Sequence, residues 1–208
     1  MINEKEMGGP LRFRVWVTRG GYFTLAERMS RKARYSVGAT TLLSFYVVVL
    51  SLVILVFPEK ISEVSSKWIT TSSLIISIFI IIITLMENSK GYALNAEYAG
   101  QSARELAFLF NQMEEMEECD PESNDLAHIK KYNDILSQAR IGHANIDYHG
   151  FQLTHPGEFK LTKWKWLGVL ALYTIEAVLE YWPYALMVLG PLAPTIWVVS
   201  LIVNGVAH

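Results

Sequence analysis

Four ionisable side chains in one short stretch are the residues of this chain that could carry chemistry: His143, Asp147, His149 and His155. Imidazole and carboxylate groups can bind a metal or act as an acid–base pair. The stretch has no cysteine, no His-x-x-His spacing and no glutamate in a catalytic arrangement. We therefore expect no catalysis, no metal and no cofactor. We expect instead a compact polar turn, in which Asp147 caps a backbone N–H and Tyr148 packs on a helical hairpin.

Small hydroxyl side chains form a second candidate site, on one face of each of two apolar segments. Helical spacing places the members of each set on one side. Such a face can line a pore, because hydroxyls hold water without placing a bare charge in lipid. It can equally serve as a close packing surface, which is the interpretation we favour. The residues are Thr41, Ser44 and Ser51 in the first segment and Thr70, Ser73, Ser77 and Thr84 in the second.

The elements that carry these hydroxyls are two uncharged segments. Val37–Phe57 has 21 residues and Trp68–Met86 has 19. At about 1.5 Å per residue, each spans the hydrocarbon core of roughly 30 Å. The sequence therefore predicts a transmembrane helical hairpin and, for the whole chain, an all-α membrane protein.

Charge predicts the orientation of the hairpin. Residues 1–36 carry eight Lys or Arg against three acids, whereas the loop Pro58–Lys67 carries two of each. The positive-inside rule places the N-terminus in the cytoplasm and the loop outside. We expect a multi-pass membrane protein. Within the basic arm, Gly20-Gly21 is interpreted as a linker, and Thr24 with Glu27 as a capping box that begins the helix.

Beyond Met86 the pattern predicts one helix from about Trp68 to Glu118 that continues the second span into the cytosol. Its apolar seam alternates steps of three and four, which is coiled-coil spacing. The partner of the seam is either the N-terminal region or another subunit. Residues 87–158 carry 13 acids against five bases, so the two cytosolic arms should attract each other. The seam residues are Ala96, Ala99, Ala103, Leu106, Phe110 and Met113.

A second amphipathic helix should follow Asp120-Pro121-Glu122 and fold back along the first, giving a cytosolic helical hairpin. Its apolar face is assigned to Leu126, Ile129 and Leu136, with Asn133 and Tyr132 beside them. The chain then divides into a basic arm (1–36), a transmembrane hairpin (37–86), a cytosolic hairpin with its turn (87–158) and a hydrophobic C-terminal segment (159–208).

The C-terminal segment is predicted to return to the bilayer, because lysines alternate with tryptophans from residue 160 to 166. Either an interfacial helix Leu161–Trp182 precedes one span, or two spans are broken at Pro183. We favour the first, since Glu176 and Glu180 would be costly in lipid. These two glutamates are the ionisable residues that we would test first for gating.

Several of these motifs together resemble the SLATT-domain proteins, two-transmembrane effectors found beside nucleotide-signalling and reverse-transcriptase defence genes in prokaryotes. The nearest subgroup is the one beside defence-associated reverse transcriptases, and the likeness covers residues 10–155. The matching residues are Ala99-Gly100-Gln101-Ser102-Ala103-Arg104-Glu105-Leu106, Tyr132-x-x-Ile135-Leu136, His143 and Ile146-Asp147-Tyr148.

This resemblance implies an antiviral effector that oligomerises in the inner membrane and permeabilises or depolarises it. A reverse transcriptase or a nucleotide-signalling protein would be its partner, and no direct contact with nucleic acid is expected. The alternative is a membrane-anchored scaffold that recruits a cytosolic partner through the acidic hairpin and conducts nothing. A membrane enzyme is a third reading, for which we find no catalytic constellation.

Overall fold

The structure is a computed structural model that describes residues 10–56, 63–119 and 125–190, together with 196 and 200. This part of the chain contains six α-helices and no strand, which confirms the all-α fold class. The helices are α1 (Pro10–Val56), α2 (Glu63–Ser89), α3 (Tyr92–Cys119), α4 (Asp125–Gln138), α5 (Asn145–Thr154) and α6 (Lys163–Leu189).

The helices group into two compact units. The first unit contains the start of α1 up to Arg31 and the chain from Tyr92 to Glu180. The second contains Lys32–Gly91 and the chain from Tyr181 onward. The division of the sequence into four segments followed hydropathy and charge, whereas the two units follow packing, so α1 and α6 each contribute to both.

Two helices in the described part of the chain are long and apolar enough to cross a membrane. One lies within α1, and the other begins with α2. Only 22% and 11% of their most apolar windows are buried, so most of this apolar surface faces outward. A core helix of a water-soluble protein would bury it. The two predicted spans therefore have the character of membrane helices.

The predicted helix from Trp68 to Glu118 is interrupted at Gly91. Helix α2 ends at Ser89 and α3 begins at Tyr92. Gly91 adopts a φ of 57°, in the left-handed region that glycine enters most easily. The N–H groups of Lys90 and Gly91 donate to carbonyls three residues back instead of four, which tightens the chain at the end of α2. The expectation of one uninterrupted helix was therefore wrong.

The start of α1 also differs from expectation. The helix begins at Pro10, so proline occupies the first helical position, where its missing N–H is least needed. Gly20 and Thr24 lie inside the helix, and the Thr24 hydroxyl donates to the Gly20 carbonyl (2.9 Å). The linker and the capping box assigned to this region were both wrong. Packing of α1 within the first unit overrides these local patterns.

The α3 seam is buried in the core of the first unit except at Ala96, which is half-buried outside it. Ala99, Ala103, Leu106 and Met113 belong to this core, and Phe110 packs against it. Of the two partners that the sequence left open, the N-terminal helix is the one that the structure pairs with the seam. The other core members are Leu11, Val15, Tyr22 and Leu25 of α1, Leu109 of α3, and Tyr132 and Ile135 of α4.

The expected attraction between the two charged arms is present at this interface. The Arg12 Nη2 atom lies 2.7 Å from the Glu114 Oε1 atom. The guanidinium groups of Arg12 and Arg19 also lie 5.0 and 4.6 Å from the centre of the Phe110 ring. Both arginines thus bind α3 through charge and through the face of an aromatic ring.

Helix α4 forms as predicted, and its inward face agrees with the prediction at Tyr132 and Leu136 but not at Leu126 and Ile129. Tyr132 and Ile135 are buried, and the Tyr132 hydroxyl lies 2.9 Å from the Thr18 hydroxyl of α1. Leu126 and Ile129, assigned to the apolar face, are 79% and 38% exposed. The hydrogen bond to α1 fixes the rotation of α4, which periodicity within one helix could not reveal.

Helix α6 continues through Pro183, so the break predicted there was wrong. A proline inside a membrane-associated helix is tolerated when neighbouring groups satisfy the freed carbonyl. Both arrangements proposed for the C-terminal segment assumed this break. The further span expected near Tyr184–Val203 lies largely outside the described residues.

Helices α1 and α5 cross at two glycines. A Cβ on Gly20 would lie 2.2 Å from the Phe151 Cε2 atom, and a Cβ on Gly150 would lie 2.9 Å from the Thr24 Cγ2 atom. Each glycine therefore makes room for a side chain of the opposite helix. This reciprocal fit brings α5 against α1 at the level where the functional residues described below are placed.

We expect Gly20→Ala to lower the unfolding temperature in detergent, because the added methyl group must displace the Phe151 ring. Overpacking typically costs about 1–3 kcal/mol, only partly offset by the helix propensity gained. Gly38→Ala, in the same helix with open space around its Cα, is the matched control and should be neutral or stabilising. Equal unfolding temperatures for the two variants would contradict the crossing.

Candidate functional site

A buried ion pair joins α1 to the N-terminus of α5. Arg28 Nε lies 2.7 Å from Asp147 Oδ1, and Arg28 Nη2 lies 2.9 Å from Asp147 Oδ2. Two parallel bonds to one carboxylate give the strong fork geometry of arginine. The Asp147 side chain is fully buried and that of Arg28 is 9% exposed. Water therefore cannot replace either partner.

Glu180 of α6 is the third member of this cluster, since Arg28 Nη1 also donates to Glu180 Oε1. Burial alone would lower the pKa of Arg28, but the bonds and charges of Asp147, and then of Glu180, outweigh it and raise that pKa. The guanidinium therefore stays charged at every physiological pH. One cation and two carboxylates leave a formal charge of −1, which the N-terminal dipole of α5 helps to stabilise.

Asp147 also caps α5. The Ala144 N–H donates to Asp147 Oδ2 (2.8 Å), as the third residue of a capping box does. Ala144 has no side-chain acceptor, so only this half of the box forms. The expectation that Asp147 caps a backbone N–H is confirmed, but the segment is the start of a helix and not only a turn. Its boundary was missed because the capping residue is alanine.

The other residues of the predicted turn have separate surroundings. His143 is exposed, with its ring 5.6 Å from the Tyr22 ring. The Tyr148 ring lies 6.0 Å from Phe159, in the segment after α5. His155 contacts Trp16, with ring centres 5.6 Å apart. These partners are structural ones.

The four side chains of the predicted acid–base cluster thus make separate contacts. Both oxygens of Asp147 already accept hydrogen bonds, which leaves the carboxylate poorly placed to act as a base or a metal ligand. Among the residues that the structure describes, no group of three His, Cys, Asp or Glu side chains lies close enough to hold a metal ion.

The other glutamate of α6, Glu176, faces α5. His149 Nδ1 and Glu176 Oε2 lie 3.4 Å apart. Glu176 and Glu180 therefore both point toward protein partners and not toward lipid. Since the partners lie on α1 and α5, these contacts fix the rotation of α6 about its axis.

In the second unit, four of the candidate hydroxyl residues line one groove between α1 and α2. Ser51, Thr70, Ser73 and Ser77 share this groove, whose volume is about 620 Å³. Ser73 is buried at its floor with 8% exposure. The two hydroxyl faces predicted from the sequence therefore meet each other over part of their length.

The remaining hydroxyls do not line the groove. Thr41 and Ser44 are exposed on α1, and Thr84 is half-buried on α2. The Ser44 hydroxyl donates to the Thr40 carbonyl of its own helix (2.9 Å). The structure therefore separates the predicted pore or packing face into a shared part and an outward part.

A buried carboxylate that the sequence analysis did not single out lies at the end of the second span. Glu87 is 8% exposed and accepts a hydrogen bond from the Tyr184 hydroxyl (2.8 Å). Lys90 and Ser36 bind the same carboxylate. This cluster, the Glu87 clasp, ties α1, α2 and α6 together within the second unit. A glutamate directly after an apolar span was the available signal.

Arg28 was likewise missed as a functional residue. It is one of eight basic residues in the N-terminal arm, and no local feature distinguishes it from the others. The available signal was indirect: two glutamates in an apolar helix need a cation, and the nearest surplus of cations lies in that arm.

One protein family model matches nearly the whole chain. The model of SMODS and SLOG-associating 2TM effector domain family 5, one of the SLATT families, matches residues 5–197. This match reaches well beyond the motifs of residues 10–155 and includes all of α6. No curated protein and no solved structure matches the chain.

We expect Arg28→Met to destabilise the protein by about 3–5 kcal/mol, because it leaves two carboxylates without their cation. Unfolding temperature in detergent measures this loss. The control, Arg104→Met, removes an exposed ion pair with Glu97 (3.0 Å) and should change stability by less than about 1 kcal/mol. Adding Asp147→Asn to Arg28→Met should recover part of the loss. Equal stability of Arg28→Met and Arg104→Met would contradict the stabilising role of the buried cluster.

Proposed function

The chain belongs to the family of SMODS and SLOG-associating two-transmembrane effector domains, and from that premise we propose that it oligomerises in the inner membrane and permeabilises or depolarises it. The family supplies the role of a membrane effector in a defence system. Oligomerisation and permeabilisation are our additions, as are the cytoplasmic N-terminus and a partner that is a reverse transcriptase or a nucleotide-signalling protein. One feature of α6 carries the proposal.

That feature is an exposed apolar seam along α6. Its six side chains are separated by alternating steps of three and four residues, the spacing of a coiled-coil interface. Each is between 52% and 65% exposed. The seam residues are Leu172, Ile175, Leu179, Trp182, Leu186 and Leu189.

The opposite face of α6 is already occupied. Glu176, Glu180 and Tyr184 bind His149, Arg28 and Glu87 respectively. The helix therefore cannot rotate to bury the seam inside its own chain. An interface of this kind must be covered by another molecule.

A second copy of this chain is the occupant that the seam fits best. Six half-exposed apolar side chains offer on the order of 500 Å² per copy. The neighbouring Trp164, 83% exposed, extends this toward the roughly 800 Å² per partner of a stable interface. Identical seams on identical helices also match each other in register. Lipid covering the same face is the alternative outcome of the test.

We expect the double variant Ile175→Ala with Leu179→Ala to weaken assembly at least tenfold in concentration, or about 1.4 kcal/mol. Molecular mass in detergent across a concentration series measures this. The control is Leu167→Ala with Val178→Ala, which removes exposed apolar groups beside the seam on the same helix and should leave assembly unchanged. If both pairs behave alike, or if the wild type is monomeric throughout, lipid covers the seam and the proposed interface is wrong.

A membrane-potential dye in cells that express the protein tests the second half of the proposal. Expression of the wild type under activating conditions should depolarise the cells, and the seam variant should not. An assembled protein with unchanged potential would remove the permeabilising activity.

The non-conducting scaffold remains a second candidate because the acidic hairpin has exposed apolar side chains. Leu126 and Phe108 are 79% and 59% exposed. Phe110 and Met113, first considered for partner binding, lie in or against the core, so substituting them would test folding instead. Leu126→Gln should abolish recruitment of a partner on this view and leave the unfolding temperature unchanged.

A further inference from the structure

We propose that water fills the groove between α1 and α2 from the loop end of the hairpin to about the middle of the bilayer. This wedge would be an aqueous half-path within a single copy. Its role in conduction rests on the proposed function, whereas its hydration does not. Three observations within the second unit support it.

The first is the position of the groove along the spans. Leu55 and Thr70 line it, and each lies two residues from the end of its span next to the connecting loop. Ser77, the deepest hydroxyl, lies seven residues further along α2 than Thr70. At about 1.5 Å per residue, the groove reaches roughly 13 Å from the start of the second span, near the midplane of a core of about 30 Å.

The second observation is the hydroxyl of Ser73. This side chain is 92% buried and lies at the floor of the groove. Among the described residues it has no hydrogen-bond partner, unlike its neighbours. The Ser73 oxygen is not among the atoms sealed off without a partner, so it is reachable from the groove and can donate to a molecule there.

The third observation is how the other hydroxyls are oriented. Ser51, Thr70 and Ser77 donate to carbonyls of their own helices at 2.8–2.9 Å. Their oxygens therefore keep acceptor lone pairs for a molecule in the groove. The groove thus offers one free donor and several acceptors.

Water matches this set of groups, because it both accepts and donates. A lipid acyl chain does neither. The volume of about 620 Å³ is far larger than the share of about 30 Å³ that one molecule occupies in the liquid. Several waters can therefore bridge the hydroxyls and hydrogen-bond to one another.

The opposite end of the same unit is closed. The Glu87 clasp, one residue after the second span, joins Ser36 in the middle of α1 to the end of α2 and to Tyr184 of α6. The wedge therefore ends in the membrane in the structure described here. Opening a continuous path would therefore require a change at the Glu87 clasp.

The experiment compares two adjacent serines in a Cys119→Ser background, which contains no other cysteine. Ser73→Cys points into the groove. Ser72→Cys has nearly the same depth but is exposed on the outside of the helix. A charged, membrane-impermeant thiol reagent is added to either side of proteoliposomes. Both substitutions are nearly isosteric, and unchanged unfolding temperatures verify folding.

We expect Ser73→Cys to react at least tenfold faster than Ser72→Cys, and only from the side of the loop. Cys at position 73 would thus react faster than Cys at position 72, although position 73 is the more buried. The reason is that a thiol ionises, and the charged reagent enters, only where water is present. No reaction at either position means that acyl chains fill the groove, and equal reaction means that the groove is not distinct. Both results would overturn the proposal.

This labelling requires no conductance. Labelling of Ser73→Cys without depolarisation of a membrane would support the hydrated groove and contradict the proposed function. Depolarisation without labelling of Ser73→Cys would support the proposed function and contradict the hydrated groove.

Discussion

The buried arginine of α1 is the constraint on which the rest of the first unit depends. Arg28 binds Asp147 with two hydrogen bonds and also binds Glu180, so one guanidinium holds α1, α5 and α6 together. Removing an ion from water is strongly unfavourable unless its partners are fixed in good geometry. The glycine crossing of α1 and α5 supplies that geometry, because Gly20 and Gly150 let the helices approach closely. The ion pair in turn satisfies a glutamate that an apolar helix could not otherwise carry.

The same constraint decides which surface remains available for association. Because the carboxylates of α6 face α1 and α5, its heptad seam must face away from its own chain. The seam of α3 has the same spacing but lies inside the chain, since Ala103 and Leu106 are fully buried against α1 and α4. Spacing alone therefore does not distinguish an internal interface from an external one. What distinguishes them is whether the other face of the helix is already bound.

Local patterns predicted the local structure well. The two spans, the α3 seam and the presence of α4 follow from hydropathy and helical periodicity, which act between residues a few positions apart. The partners of Arg28 lie 119 and 152 residues away, so no local pattern could identify them.

Pro183 was given its usual meaning as a helix end, yet tertiary packing keeps α6 helical there. The break at Gly91 was not predicted, because sequence does not reveal which glycine adopts a positive φ. Of the candidate hydroxyls, the sequence identified the set, and the structure identified the four that share a groove.

A membrane effector of this kind would combine a rigid ionic centre, an exposed seam that gathers copies, and a groove that admits water from one side. The central claim is that the protein itself opens the bilayer. Potassium efflux from loaded proteoliposomes that contain only the purified protein tests this claim most directly. We expect efflux that rises steeply with protein density and is lost in the variant Ile175→Ala with Leu179→Ala. Vesicles that hold assembled wild-type protein and retain their potassium at every density would contradict it.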